Sequence, residues 1–150
     1  MRRLFYIITA LVLAACSLGN ADGKSEIEQN KEKWQDANIS HYRYNLFVGC
    51  FCAFRGDMPL IIEVQDGKAV SMEYQSGNEI DASNREIFKK YETLDLIFAE
   101  LEAGLNGAAD EVTAKYDPTY GFPTDVFLDV IKEAVDDELS LTVSNFEVLP

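Results

Sequence analysis

The sequence predicts an α+β fold: an antiparallel sheet of about six strands with helices packed on one face. Three observations carry this. Residues 42–74 and 112–143 alternate apolar and polar side chains, as half-buried strands do. Between these blocks, Leu94, Ile97, Phe98, Leu101 and Leu105 recur at helical spacing. Asp66-Gly67 sits between two alternating runs as a two-residue hairpin signal, which favours antiparallel pairing. The predicted order is α-βββ-α-βββ.

The chain opens MRRLFYIITALVLAACS: two arginines, an apolar run from Leu4 to Leu13, then Ala14-Ala15-Cys16. A basic start, a short apolar stretch and small residues make a secretory signal. The run is too short for a comfortable bilayer span, which needs about 20 apolar residues. LAAC resembles the lipobox of bacterial lipoproteins. That resemblance implies cleavage after residue 15 and diacylglyceryl and palmitate-type acylation at Cys16. It also implies an address in the cell envelope, at the outer membrane facing the periplasm in a Gram-negative cell. Two or three acyl chains anchor stably where one is marginal. Removing residues 1–15 deletes Arg2 and Arg3, so the formal net charge moves from −13 to −15. Phosphate backbones repel so acidic a chain, which excludes nucleic acid as a partner and leaves cationic partners open.

Residues 16–24 then read as a flexible tether, polar and containing glycine, and residues 25–150 as a single α+β domain. The eight residues from Ser17 to Lys24, fully extended, reach at most about 28 Å, so the domain stays near its membrane. Ser25 and Glu28 fit a capping box that opens a helix to about Asn38, anchored by Ile27 and Trp34. Tyr42, Tyr44, Leu46, Val48, Cys50 and Cys52 share one face of an extended segment. After a turn at Gly56-Asp57, Leu60, Ile62 and Val64 alternate, and Val70, Met72 and Tyr74 return on the same face. Ser83 and Glu86 form a second capping box, over a short turn of helix. Thr93 caps the helix of the 94–105 stripe, and Gly104 and Gly107 mark its end. Val112, Ala114 and Tyr116, then Val126, Leu128 and Val130, then Leu139, Leu141 and Val143 mark three more strands, with Asp136-Asp137 at the last turn.

The segment YDPTYGFPTDVFLD, followed by DDELSLTVSNFE, resembles a family of small bacterial lipoproteins of unknown function. Its other features match a tryptophan helix at Trp34, a Y-x-Y strand at Tyr42 and Tyr44, and a C-x-C motif at Cys50 and Cys52. A D-G hairpin at Asp66-Gly67 and a T-x-x-x-x-F helix at Thr93 and Phe98 match as well, so the likeness spans residues 34–147. It implies envelope localisation and a compact α+β domain, and it brings no reaction, cofactor or catalytic residue.

The residues themselves supply no catalytic constellation. There is one histidine, His41, and no G-x-S-x-G elbow. Nine or more extended residues, roughly 30 Å at about 3.3 Å each, separate His41 from either strand cysteine. Nucleophilic catalysis is therefore not expected, and neither is a cofactor.

Two places remain. Nine carboxylates against two lysines lie between Asp110 and Glu138. There Asp125, Phe127, Asp129 and Ile131 share one strand face, opposite Val126, Leu128 and Val130, and form a candidate binding surface unless helices bury it. Calcium at Asp117, or at Asp136, Asp137 and Glu138, ranks below a solvated acidic face, because no EF-hand pattern is present. The second place is Cys50 and Cys52, the two thiols left once Cys16 is acylated. At i and i+2 of a regular strand their Cα atoms would be about 6.6 Å apart, so a disulfide needs a kink, which a bulge at Gly49 could provide. A bridge closing so small a ring would be readily reduced. Buried free thiols and a copper(I) pair stand behind the disulfide. The expected function is a lipid-anchored, non-enzymatic module binding an envelope protein or peptide. The alternative is a thiol redox or copper-handling lipoprotein built on Cys50 and Cys52.

Overall fold

The computed structural model describes residues 18–150, with side chains from Ser25 onward. The signal segment and Cys16 lie outside the described residues. Helix α1 (Leu18–Asp36) leads into strand β1 (His41–Gly49), a 3-10 turn (Ala53–Asp57), β2 (Leu60–Gln65) and β3 (Lys68–Tyr74). Helices α2 (Ala82–Phe88) and α3 (Leu94–Ala103) follow, then a π-turn (Gly104–Ala108), β4 (Glu111–Tyr116), β5 (Pro123–Asp129) and β6 (Glu138–Val148).

The six strands form one antiparallel sheet in the order β3-β2-β1-β6-β5-β4. The two predicted meanders thus meet at β1 and β6, and α2 and α3 carry the chain from one edge strand to the other across a single face. This is the expected α+β architecture. The core lies under that crossing: Tyr44, Leu46, Leu60, Ile62 and Val64 of the sheet and Leu94, Ile97, Phe98 and Leu101 of α3 are fully buried. Two tyrosines of β1 join the layers by hydrogen bonds as well as packing. The Tyr44 hydroxyl donates to the Tyr91 carbonyl at 3.1 Å, and the Tyr42 hydroxyl accepts from the Leu94 amide at 3.3 Å. That amide is one of the donors a helix start leaves unsatisfied. Thr93 accepts from the Leu96 amide at 3.2 Å, the cap expected of it. A Cβ on Gly104 would come within 2.6 Å of a Leu128 methyl and 2.9 Å of a Val112 methyl, so the bare backbone at residue 104 lets α3 close against the sheet without displacing them.

At the His41 end of the sheet, Trp34 of α1 packs edge-on against Tyr42 (centroids 5.3 Å), Phe122 (5.9 Å) and Phe146 (6.0 Å). Trp34 is therefore the anchor of α1, as its spacing implies. Asp66 and Gly67 both take positive φ (51° and 74°), the backbone the β2–β3 hairpin requires.

Several boundaries differ from the sequence reading. Helix α1 already runs through residues 18–24, read above as tether, so Ser25 caps nothing; its hydroxyl accepts from Gln29 one turn on. Asp81, not Ser83, caps α2, accepting from the Asn84 amide at 2.9 Å. The β2–β3 register slips between Glu63 and Val64, which pair with Ser71 and Ala69. Val70 is the extra residue of that bulge and is exposed rather than core-facing. Strand β5 ends at Asp129, so Val130 and Ile131 leave the alternation and are exposed in the loop before β6.

Candidate functional site

The C-x-C motif sits just past the sheet, not within it. Strand β1 stops at Gly49, where regular pairing with Ser140 continues to the last residue. The register shift of this pair lies far away, between Arg43 and Asn45, so Gly49 is not the bulge considered above. Its role is contact: a Cβ there would collide with the Ser140 hydroxyl. Beyond it the chain bends sharply, Cys50 and Cys52 are joined by a disulfide, and their Cα atoms are 5.2 Å apart. The bend shortens a regular-strand separation of about 6.6 Å, at the far end of the disulfide range, to one well inside it. Phe51, held between the cysteines, points outward and is 84% exposed. The following 3-10 turn is held from within: Phe54 is buried against Phe88 (centroids 4.8 Å), and Asp57 accepts from the Asn78 amide side chain at 2.6 Å. The turn expected at Gly56-Asp57 thus lies at the end of this 3-10 segment.

The open face of the sheet holds most of the second candidate. Because the helices lie on the Tyr42–Tyr44 side, the alternate residues of β4, β5 and β6 face solvent. Pairing sets them in rows. Thr113, Phe127 and Ser140 lie side by side across three strands, and Lys115, Asp125 and Thr142 form the next row. These six residues line a shallow concavity of about 310 Å³ floored by Val126 and Leu141. A recess of about 240 Å³ beside the disulfide, between Phe51, Arg55, Asp136 and Glu138, shares Ser140 with it. Asp125, Phe127 and Asp129 thus share a face, as their spacing implies, but Ile131 does not; its amide donates to Asp137 at 2.8 Å in the loop beyond. The lining residues Thr113, Ser140 and Thr142 carry no signal of their own in the sequence. Only the strand register assembles them around Phe127.

A third row is wholly acidic. Glu111, Asp129 and Glu138 stand opposite one another on adjacent strands, an arrangement that like charges disfavour. Desolvation first, and then the charges of Asp137, Glu138, Glu111 and Asp110, raise the Asp129 carboxyl above the ordinary carboxylate range. The Oδ1 atoms of Asp129 and Asp137 are buried and accept no hydrogen bond. The remaining oxygens hold the loop: Asp137 accepts from Ile131, and Asp110 from the Lys132 amide at 3.0 Å. Among the described residues, no group of three or more His, Cys, Asp or Glu is arranged to hold a metal ion.

His41 lies at the opposite end of β1 from the cysteines. Its ring nitrogens reach Glu63 (3.0 Å) and the Pro150 carbonyl (2.8 Å), and these hydrogen bonds raise its pKa. It therefore ties the start of β1 to β2 and to the segment after β6, remote from both candidate sites.

The Tyr116–Pro123 segment, which carries the C-terminal motif, is a turn fitted to α1. Asp117 accepts from the Thr119 and Tyr120 amides at 2.9 and 2.6 Å. Gly121, at φ +82°, packs where any Cβ would meet the Asn30 carbonyl, and Lys33 donates to the Pro118 carbonyl. Burial pushes the Tyr116 hydroxyl up to about 12. The motif thus has a packing function that needs each of these residue types.

No curated protein and no solved structure matches the chain. A family of unknown function, DUF6174, matches residues 26–148, from within α1 to the last residue of β6. That span takes in the helix, the disulfide loop, the motif turn and the whole sheet, and the chain belongs to this family.

Proposed function

We propose that the chain is a lipid-anchored bacterial envelope protein. Its non-enzymatic domain binds a protein or peptide partner across the open face of β4, β5 and β6. The observation that carries this reading is Phe127, an aromatic side chain on the helix-free face, set between Thr113 and Ser140 at the centre of the concavity. An apolar anchor ringed by hydroxyls and by Asp125 and Lys115 has the makeup of a contact surface. The formal net charge of −13 favours a partner with basic groups. The lipobox at Cys16 supports the anchor and the envelope address.

A photo-crosslinking amino acid placed at position 127 in living cells tests the binding reading. A discrete protein adduct at 127, absent from the same probe at Leu96 on the helical side and weakened by Asp125→Lys, is expected. Equal labelling from both faces, or none from 127, would remove it. The redox alternative stands on the Cys50–Cys52 disulfide, half-buried in the loop just past the sheet on either side of the exposed Phe51. Intact mass after alkylation, with and without prior reductant, tests that reading; a bridge that stays fully oxidised in growing cells counts against it.

A further inference from the structure

Anchoring through Cys16, on which this inference rests, brings the domain to a membrane without setting which way it faces. The course of α1 sets it. With 19 residues at about 1.5 Å each, α1 is about as long as the nine residues of β1 at about 3.3 Å. It runs the opposite way. Trp34 meets Tyr42 near the start of β1, Lys31 reaches Glu102 at 2.6 Å, and Ile27 shares a recess with Leu105. Helix α3 climbs in parallel with β1, from Leu94 at the Tyr42 hydroxyl to Gly104 against Leu128, the last core residue of β5. Leu18 therefore lies toward the end of the molecule where β1 and β5 stop. Cys16 is two residues earlier, at most about 7 Å of chain away.

Among the described residues, the same end carries the greatest concentration of exposed apolar side chains. Phe51 is 84% exposed and Val135 82%, with Ile131 and Val130 exposed beside them. They sit on two neighbouring loops, brought together by the Gly49–Ser140 pairing and by the recess that Phe51 shares with Asp136. The other exposed large hydrophobics among the described residues are scattered singly over β3, α2, α3 and the end of β6. The disulfide pins Phe51 outward, so its ring loses little freedom when it is buried elsewhere.

We propose that the loops 50–52 and 130–135 form a membrane-docking edge. Phe51, Ile131 and Val135 enter the surface of the bilayer that holds the anchor and stand the sheet upright, with its open face clear of the lipid. Exposed apolar patches mark membrane or protein contacts, and a lipid anchor only two residues before Leu18 selects the membrane here. Shallow insertion of three side chains is weak by itself, but the anchor supplies the high local concentration that makes it effective. Glu133 and Asp136 border the patch, so a zwitterionic surface suits it better than an anionic one.

The test uses the lipidated chain, extracted from its own membranes and placed in phosphatidylcholine vesicles with or without brominated acyl chains. Bromine quenches only indoles that reach the acyl region. Native Trp34, buried against Tyr42 at the far end, serves as the unquenched background. Emission added by Phe51→Trp or Val135→Trp should fall by about half, and emission added by Phe127→Trp should not change. Unquenched indoles at both loop positions, or quenching at 127 instead, would overturn the docking edge. The mass of the N-terminal peptide separates the two readings. Without lipid on Cys16 the anchor and the docking edge fail together, whereas a lipidated chain with unquenched loops defeats only the docking edge.

Discussion

The two ends of the sheet are built on opposite terms. At the His41 end, aromatic packing and ion pairs tie the elements to one another. Trp34, Tyr42, Phe122 and Phe146 form a continuous aromatic cluster, and His41 bridges Glu63 and the Pro150 carbonyl. Arg43 meets Glu147 at 2.7 Å across the central strand pair. At the Gly49 end, Phe51 and Val135 stand in solvent and two carboxylate oxygens lie buried without a donor. The difference teaches where stability and interaction reside. The first end is optimised for packing and holds the termini of the sheet together. The second keeps apolar surface and like charges that a domain selected for stability alone would have replaced.

Perturbing each end should break that contrast in a graded way. Trp34→Ala empties the centre of the aromatic cluster and should cost about 3–5 kcal/mol, read as a lowered denaturation midpoint in urea. A loss under about 1 kcal/mol would mean that the cluster does not hold α1 to the sheet. At the other end, replacing Cys50 and Cys52 together by serine opens a very small ring. The loss should be only about 1.5 kcal/mol by chain entropy, with the fold retained by circular dichroism. Unfolding of that variant would place the disulfide among the main determinants of the fold. The smallest change carries the opposite sign. Because the raised pKa of Asp129 means the folded chain binds its proton more tightly than the unfolded chain does, the ionised carboxylate disfavours folding. That penalty is present at neutral pH and is relieved as pH falls through the raised folded value. Asp129→Asn should therefore raise the melting temperature slightly at pH 7, and the gain should vanish in mild acid. A lowered melting temperature at pH 7 would show that the carboxylate holds its loop instead.

Much of the fold was legible in the residues because local chemistry decides it. Thr93 at the start of an i, i+3, i+4 stripe makes α3 wherever the chain goes next, and Asp66-Gly67 makes its hairpin from two positive φ angles. The errors fell where a local pattern outlasted the element that produced it. Cys50 and Cys52 keep the alternation of Val48, and Val130 keeps that of Leu128, yet both strands have already ended. A bulge of one residue turned Val70 outward, and no neighbour in sequence announces it. Helix α1 was shortened for the converse reason: residues 18–24 have no apolar stripe, so nothing local marks them as helical.

The candidate site divides along the same line. Alternation alone places Asp125, Phe127 and Asp129 on one strand face, and cysteine spacing alone makes Cys50 and Cys52 a pair; a side chain's face and a two-residue separation are local quantities. Only the tertiary structure decided that this face is the open one, because that depends on which side α2 and α3 cross. The pairing of β6 with both β1 and β5 then brings Ser140 and Thr142 alongside Phe127 and sets the disulfide loop beside residues 130–137. Strand register joins residues 91 positions apart in the case of Gly49 and Ser140. It is settled by which arrangement of the whole sheet buries the Tyr42–Val48 face, a property that no single segment of the chain possesses.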